Sequence, residues 1–194
     1  VAGVSLGLER AVSVCLPEWS PEGRLWWCDD ADGWWHLRAA PAVGLPVEGV
    51  GDDPATAVAG GGGPGEEIGE PRWVAGGRRY AFCADGRVVI AVAAGGIDSL
   101  RLLDPSTGAE MWRAELEGKG FVNIAFQGRM VLATTRGELF ALDRSTGHLL
   151  WTAPLKGLGL GFVTIAGGAQ MAAIAALSAS QQLDSGTGAV MASS

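Results

Sequence analysis

The sequence predicts an all-β protein made of repeated four-stranded antiparallel units, and three observations lead to this prediction. One frame of residues returns at a spacing of 39–41 positions, which is typical of repeat architectures. The 31 glycines and nine prolines among 194 residues favour many tight turns between short strands. The regular second half of the chain has no useful stretch with the 3.6-residue periodicity of a helix.

The repeated frame is a corner, Asp-x-x-Thr-Gly, followed four residues later by a tryptophan. Its members are Asp104, Thr107, Gly108 and Trp112, then Asp143, Thr146, Gly147 and Trp151, and finally Asp184, Thr187 and Gly188, with Ala192 in the tryptophan position. The Asp and Thr side chains can accept hydrogen bonds from backbone amides of the turn, and the glycine tolerates a positive φ. The tryptophan offers a large flat surface to bury between neighbouring sheets.

The chain divides into three predicted regions. Residues 1–50 form an N-terminal region with a tryptophan-rich hairpin, interpreted as a degenerate repeat unit. Residues 51–72 form a Gly/Pro-rich connection, and residues 73–194 hold the regular repeats. Six strands are expected within the regular repeats: Arg79–Ala84, Arg87–Ala93, Ser99–Leu103, Phe121–Phe126, Arg129–Thr134 and Glu138–Leu142.

The N-terminal region begins with a break. The two prolines of Pro17–Pro21 predict a loop there. The following stretch, Gly23–Arg38, is predicted to form two aromatic strands joined by an Asp-Gly turn at Asp29–Gly33.

The stretch Gly137–Trp151 reads Gly-x-Leu-x-Ala-Leu-Asp-x-x-Thr-Gly-x-x-x-Trp, and Leu100–Trp112 is nearly identical in pattern. This pattern resembles the blade repeat of the PQQ-like (quinoprotein-type) β-propellers. The resemblance covers residues 73–194 and, less completely, residues 20–40. It implies four-stranded antiparallel blades around a central axis, with each tryptophan between adjacent blades. The sequence suffices for about three to four blades, so a partial or small propeller is expected.

The namesake quinoprotein dehydrogenases of this family carry a vicinal cysteine pair, a tryptophan stacked on the quinone, and Glu, Asn and Asp calcium ligands. This sequence has no Cys-Cys, and none of its residues can be matched to a calcium or quinone ligand. We therefore predict no catalytic, cofactor-binding or metal-binding residue, and no cofactor. A non-catalytic interaction or scaffold module within a larger assembly is the favoured function. The alternatives are a portion of a PQQ-dependent dehydrogenase and an extracytoplasmic ligand-sensing domain of a signalling protein.

The net charge of −7 and the sequence pI of about 4.8 argue against a nucleic-acid partner and against an anionic membrane surface. No apolar run reaches the roughly 18–20 residues of a membrane span, so no direct membrane insertion is expected. The expected partners are other protein chains, which could complete the propeller. No secretory signal is visible after Val1. The resemblance suggests a periplasmic or extracytoplasmic location, with the cytoplasm as the alternative.

An acidic turn and the cysteines each have a simple structural explanation. Asp29, Asp30 and Asp32 resemble part of a calcium loop, but a cysteine stands at the first ligand position and no Glu at the twelfth. A hairpin turn is therefore favoured for them. The three cysteines, Cys15, Cys28 and Cys83, are expected to be small buried thiols.

Two further features are given no functional role. The glycine-rich stretch Gly157–Gly161 does not stand between a strand and a helix, which argues against a phosphate cradle. His36 and His148 are isolated in the sequence, and His148 lies within a repeat corner.

The tryptophan-rich hairpin provides the candidate partner-binding site. Adjacent residues of a strand point to opposite faces, so Trp26, Trp27, Trp34 and Trp35 cannot easily all enter one core. One or two of these tryptophans are expected to be exposed, and exposed tryptophans are favoured anchors for protein partners. The alternative is burial of all four between blades or under residues 39–72.

Overall fold

The computed structural model describes residues 12–40, 56–70, 77–117, 120, 122–156 and 165, and in these residues the protein is all-β without a helix. The strands are β1 (Val14–Trp19), β2 (Leu25–Asp29), β3 (His36–Ala39), β4 (Thr56–Ala57), β5 (Glu66–Glu67), β6 (Tyr80–Phe82), β7 (Val88–Ala94), β8 (Ile97–Asp104), β9 (Ala109–Leu116), β10 (Asn123–Gln127), β11 (Met130–Thr135), β12 (Glu138–Asp143) and β13 (Leu149–Pro154). The predicted all-β class is confirmed. The described residues contain no helix long and apolar enough to cross a membrane.

The strands form three consecutive antiparallel sheets, which we call blades I, II and III. Blade I has the order β1-β2-β3-β4, and blade III has the order β10-β11-β12-β13. Blade II has the order β5-β7-β8-β9, and β6 also pairs with β7, so two short strands share its first position. Most strands pair with the next one in the chain, as expected where tight turns connect them.

Blade II lies between the other two blades and buries both of its faces. Side chains alternate along β7: Val88, Ile90 and Val92 enter a core cluster shared with blade I. Val89 and Ala91 point the other way, into a core cluster shared with blade III. Burial on both faces explains why this strand is a continuous apolar run rather than an alternating one.

The first strands of the three blades are tied together by polar contacts. The Arg78 N–H donates to Asn123 Oδ1 of blade III at 2.9 Å. The guanidinium of Arg78 lies 2.8 Å from the carboxylate of Glu18 in blade I. The Tyr80 hydroxyl donates to the Leu16 carbonyl oxygen of blade I at 2.5 Å. Blade II is thus anchored to both of its neighbours through this row of first strands.

Arg79 is a buried cation beside these contacts, and only 2% of its surface is exposed. Its Nε–H donates to the Ile68 carbonyl oxygen at 2.9 Å, and its guanidinium lies 3.7 Å from Asp98 and 3.9 Å from Glu70. Asp98 also accepts a hydrogen bond from the Gly120 N–H at 3.0 Å. These partners compensate the charge, which would be costly to bury alone.

The predicted loop at residues 17–21 is wrong in its first half, because β1 continues through Trp19. Pro17 lies at a register shift between Cys15 and Glu18, where pairing with β2 is interrupted. Since β1 is an edge strand with a local bulge, the missing N–H of the proline costs no ladder hydrogen bond.

The six strands predicted in the regular repeats are all present, with each end displaced by at most two residues. The region predicted as a connection, residues 51–72, contributes the strands β4 and β5 to blades I and II. The predicted region boundaries at 50/51 and 72/73 lie outside the described residues.

Candidate interaction surface

The two described Asp-x-x-Thr-Gly corners share one hydrogen-bond pattern. Asp143 Oδ1 accepts from the N–H groups of Ser145 and Thr146 at 2.9 and 3.2 Å. The Thr146 hydroxyl oxygen accepts from the His148 N–H at 3.3 Å. The earlier corner repeats these bonds with Asp104, Ser106, Thr107 and Ala109. The Ser145 N–H, followed by the Thr146 groups, holds the pKa of Asp143 below its ordinary value.

Trp112 of blade II docks on the corner of blade III. Its side chain is buried between the blades, and its indole N–H donates to the Arg144 carbonyl oxygen at 2.9 Å. The indole ring covers Gly147, where a Cβ would come within 2.6 Å of ring carbons. The repeated corner thus forms a turn within its own blade and also the contact with the tryptophan of the preceding blade.

The joint between blades I and II uses a smaller residue. Gly108 of the blade II corner has a φ of +73°, and a Cβ there would lie 2.8 Å from the backbone carbonyl carbon of Ala59. Ala59 follows β4, the last strand of blade I. An alanine therefore stands here in the place that Trp112 takes at the next joint.

Trp151 of blade III stands in the same position as Trp112 but lacks the same cover. Trp112 pairs with Leu102 of β8, and Trp151 pairs with Ala141 of β12, the equivalent position. Their exposed fractions differ, at 8% for Trp112 and 41% for Trp151. The neighbouring Leu150 is 42% exposed. Trp151 is thus more exposed than its counterpart Trp112, although Leu132 and Ala141, which share its face, are buried.

The four tryptophans of the predicted site lie in different surroundings. Trp26 is buried and packs edge-to-face on Phe82 of blade II, with ring centroids 5.0 Å apart. Trp35 is half-buried against the core cluster that blades I and II share. Its backbone N–H donates to the Glu67 carboxylate at 2.6 Å. These two tryptophans join blade I to blade II.

The other two tryptophans face away from that core. Trp27 is half-buried, and its indole N–H donates to Asp29 at 2.9 Å. Trp34 is 39% exposed. Trp34 and Trp35 lie in the turn before β3 rather than within the strand, so strict alternation between faces does not govern them.

A fifth tryptophan, Trp19, was missed by the sequence analysis and is 65% exposed. It is the cross-strand partner of Leu25, and Leu25 and Trp27 share a face because they are two residues apart on β2. Val14, 62% exposed, lies on the same face. A tryptophan can be read directly from the sequence, but Pro17 and Pro21 on either side of Trp19 predicted a loop rather than a strand face. We call the face formed by Val14, Trp19 and Trp27 the blade I outer face.

The acidic turn does not fit a calcium ion. Asp29 accepts hydrogen bonds from the Arg38 guanidinium at 3.1 Å and from the indole of Trp27. Asp32 lies 2.8 Å from His36 Nδ1 and 3.1 Å from Arg38. Desolvation raises the pKa of Asp32, but the hydrogen bonds from His36 and from the Trp34 N–H, together with the nearby Arg38 guanidinium, outweigh it and lower the pKa overall. The carboxylates are already engaged, and the described residues hold no other group of metal-ligating side chains.

The remaining sequence candidates do not assemble into a site. His36 is buried, and its Nε2 lies 3.1 Å from the Gly63 carbonyl oxygen. His148 is exposed in the blade III corner. The stretch Gly157–Gly161 and the third corner, with Asp184, Thr187 and Gly188, lie outside the described residues.

Three consecutive antiparallel blades, with Trp112 of blade II docked on the blade III corner, have the architecture of a partial β-propeller. Residues 96–191 match the PQQ-like family model that is described as outer membrane protein assembly factor BamB. Residues 96–191 therefore carry PQQ-like β-propeller repeats, and the resemblance seen in the sequence is confirmed over them. No curated protein is significantly similar to it in sequence.

Two solved structures with TM-scores above 0.5 share the fold. The crystal structure of puromycin hydrolase is 24% identical with a TM-score of 0.52, covering 75% of this chain and 21% of that one. A puromycin-hydrolyzing peptidase from Mycobacterium tuberculosis is 24% identical with a TM-score of 0.51, covering 80% and 22%. BamB from Moraxella catarrhalis is 27% identical over 39% of this chain and 23% of that one, with a TM-score of 0.34. The chain spans about a fifth of the length of these proteins.

Proposed function

We propose that this chain is a non-catalytic protein-interaction module, an arc of propeller blades that packs on further blades within a larger assembly. The observation that supports this proposal is the contrast between two equivalent tryptophans. Trp112 is 8% exposed because the blade III corner covers it, whereas Trp151 is 41% exposed. A large aromatic side chain exposed on the last strand of the last described blade is suited to anchor a partner.

The chemistry of the partner surface follows from the Trp112 joint. A partner at blade III must offer a glycine under the Trp151 ring and a free carbonyl oxygen for its indole N–H, as Gly147 and Arg144 do for Trp112. Another Asp-x-x-Thr-Gly corner provides both groups. The proposed partner is a chain with PQQ-like blades, or another part of a longer polypeptide with such blades. The competing occupant is this chain's own third corner, with Asp184, Thr187 and Gly188, which lies outside the described residues.

The blade I outer face is the second surface at which the arc can be extended. It exposes Trp19 and Val14 beside the half-buried Trp27, while Trp34 is exposed in the adjacent turn. Exposed aliphatic and aromatic groups on a sheet face are typical of a surface that a neighbour covers. Of the four tryptophans predicted to bind partners, Trp27 and Trp34 keep that role in this proposal, and Trp26 and Trp35 support the fold.

The experiment is purification of the native assembly, with intact mass spectrometry of every co-eluting chain, for the wild type and for Trp151→Ala. The expected result is a stoichiometric partner that binds Trp151→Ala at least about tenfold more weakly, as for an interface hot spot. Met111→Ala is the matched control, since Met111 is also exposed on the last strand of a blade, at 52%. Hydrogen exchange of β13 amides, slowed in the assembly, supplies a readout that does not depend on the variant folding.

Two results would contradict the proposal. One is a single chain of the 19.9 kDa sequence mass in which Trp151 is shielded, because the chain then covers this face itself. The other is an assembly that Trp151→Ala and Met111→Ala leave equally intact. Hydrolysis of puromycin, or binding of PQQ with calcium, by the purified chain would instead favour an enzymatic role.

A further inference from the structure

Two of the three cysteines face each other across the first hairpin. Cys15 of β1 and Cys28 of β2 are direct cross-strand partners, so their side chains share a face. Both cysteines are reduced and both are buried, with exposed fractions of 8% and 0%. Opposed residues of antiparallel strands have Cα atoms about 4.5–5.5 Å apart, within the roughly 4.4–6.8 Å that a disulfide spans.

We propose that Cys15 and Cys28 form a cross-strand disulfide when the chain meets a small disulfide oxidant such as oxidised glutathione. The thiolate of Cys15 attacks one sulfur of the oxidant, giving a mixed disulfide and releasing one glutathione thiolate. The thiolate of Cys28 then attacks Cys15 Sγ and expels the second glutathione. The protein loses two protons and two electrons, and the oxidant gains them to become two thiols.

The order of the two attacks follows from exposure. Cys15 lies on the edge strand β1 and keeps part of its surface in solvent. Cys28 is covered: a Cβ at Gly69 would lie 2.8 Å from Cys28 Cβ and 3.0 Å from the Trp35 ring. A small oxidant can reach Cys15, and Cys28 needs only to reach the neighbouring sulfur.

The surroundings of Cys28 make the second step slow at neutral pH. A hydrogen bond with the Cys15 thiol, followed by burial, raises the pKa of Cys28 well above its ordinary value. The nearby Asp29 carboxylate raises this pKa further, while the Arg79 guanidinium lowers it. Because the thiolate is the attacking species, disulfide closure accelerates as the pH rises.

The bridge would fix the strand that connects blade I to the rest of the protein. β1 carries the Leu16 carbonyl that binds Tyr80 and the Glu18 carboxylate that binds Arg78. Among the described strands, β1 lies at the edge of its sheet and pairs with β2 alone. A disulfide between β1 and β2 restricts the unfolded chain, because the two strands then remain linked when the sheet is lost.

The test uses the full chain equilibrated with oxidised glutathione, then denatured, alkylated and mapped by peptide mass spectrometry. The expected product has Cys15 bonded to Cys28 and only Cys83 alkylated. Cys83, buried in the other core cluster, is the matched control: Cys83→Ser retains the bridge, and Cys15→Ser and Cys28→Ser lose it. The thermal midpoint of the oxidised form should exceed that of the reduced form by roughly 5–10 °C.

A second experiment tests whether the two thiols are close enough to bond, independently of whether the oxidant can reach them in the folded protein. The reduced chain is unfolded and then refolded in the same glutathione buffer, so that both thiols are accessible before the core forms. A bridge in this arm supports the proposal even where the folded protein reacts slowly. Independent glutathione adducts on Cys15 and Cys28, a bridge to Cys83, or two free thiols after refolding would overturn it.

Discussion

The ring of Trp112 lies on Gly147 of the next blade, where a Cβ would come within 2.6 Å of two ring carbons. Gly147 has a second reason to be glycine, because its φ of +71° is costly for any residue with a Cβ. One residue therefore satisfies the turn of its own blade and leaves space for the tryptophan of the preceding one. The same corner also offers the Arg144 carbonyl to the indole N–H.

Gly147→Ala should destabilise the protein by about 2–4 kcal/mol, since it adds a steric clash with the ring to the cost of the positive φ. Gly128→Ala is the matched control, because Gly128 has a φ of +57° but nothing within 4 Å of the position of its Cβ. The control should cost only the backbone term, about 1–2 kcal/mol. Urea unfolding measures the free energy of unfolding of both variants. An equal decrease in the two would show that the Trp112 ring does not restrict the side chain at position 147.

Tyr80→Phe should destabilise the protein by about 1–3 kcal/mol. The substitution removes the hydroxyl that donates to the Leu16 carbonyl oxygen and leaves the buried acceptor without that partner. The ring itself is kept, so the packing against Phe82 should persist. Chemical denaturation measures the loss, and unchanged stability would contradict a structural role for this bond between blades I and II.

Glu66→Gln should cost about 1.5–3 kcal/mol near pH 7, because Glu66 accepts a charge-assisted hydrogen bond from Arg101 at 2.5 Å. That hydrogen bond, although opposed by desolvation, holds the pKa of Glu66 below its ordinary value. A carboxylate with a lowered folded pKa stabilises the protein fully above its unfolded pKa of about 4.3. This stabilisation is lost as the pH falls through the folded value.

The pH dependence gives the Glu66→Gln experiment its control. Unfolding free energies of the wild type and the variant should differ most near neutral pH. The difference should begin to shrink below the unfolded pKa of about 4.3 and disappear only once the pH has fallen through the lowered pKa of Glu66 in the folded protein. A constant difference across that range would show that the ionised carboxylate is not what Arg101 binds.

Local chemistry explains why much of the fold was predictable. The corners at Asp104 and Asp143 are fixed by hydrogen bonds that span three residues, and such turns can be recognised in any sequence that repeats them. The regular strands between them followed from their apolar runs. The two-residue strand Glu66–Glu67 could not be predicted, because only pairing with the end of β7 makes it a strand.

The candidate surface was less predictable, because exposure depends on what lies next to a residue. Trp112 and Trp151 have the same local pattern, yet their exposed fractions are 8% and 41%. Trp26 and Trp27 do face opposite ways, as alternation in a strand requires. Trp19 was overlooked because proline usually ends a strand, and the bulge that accommodates Pro17 leaves no mark in the sequence.

The burial of blade II on both faces has a consequence for how the protein unfolds. Val89 and Val92 belong to different cores, so β7 cannot separate from its sheet without opening both of them. Blades I and III each share only one of these cores, and either could fray from its end of the row while the other core stays closed. The described blades should therefore behave as a short chain of nearest neighbours, in which the middle unit is the last to lose protection from solvent exchange.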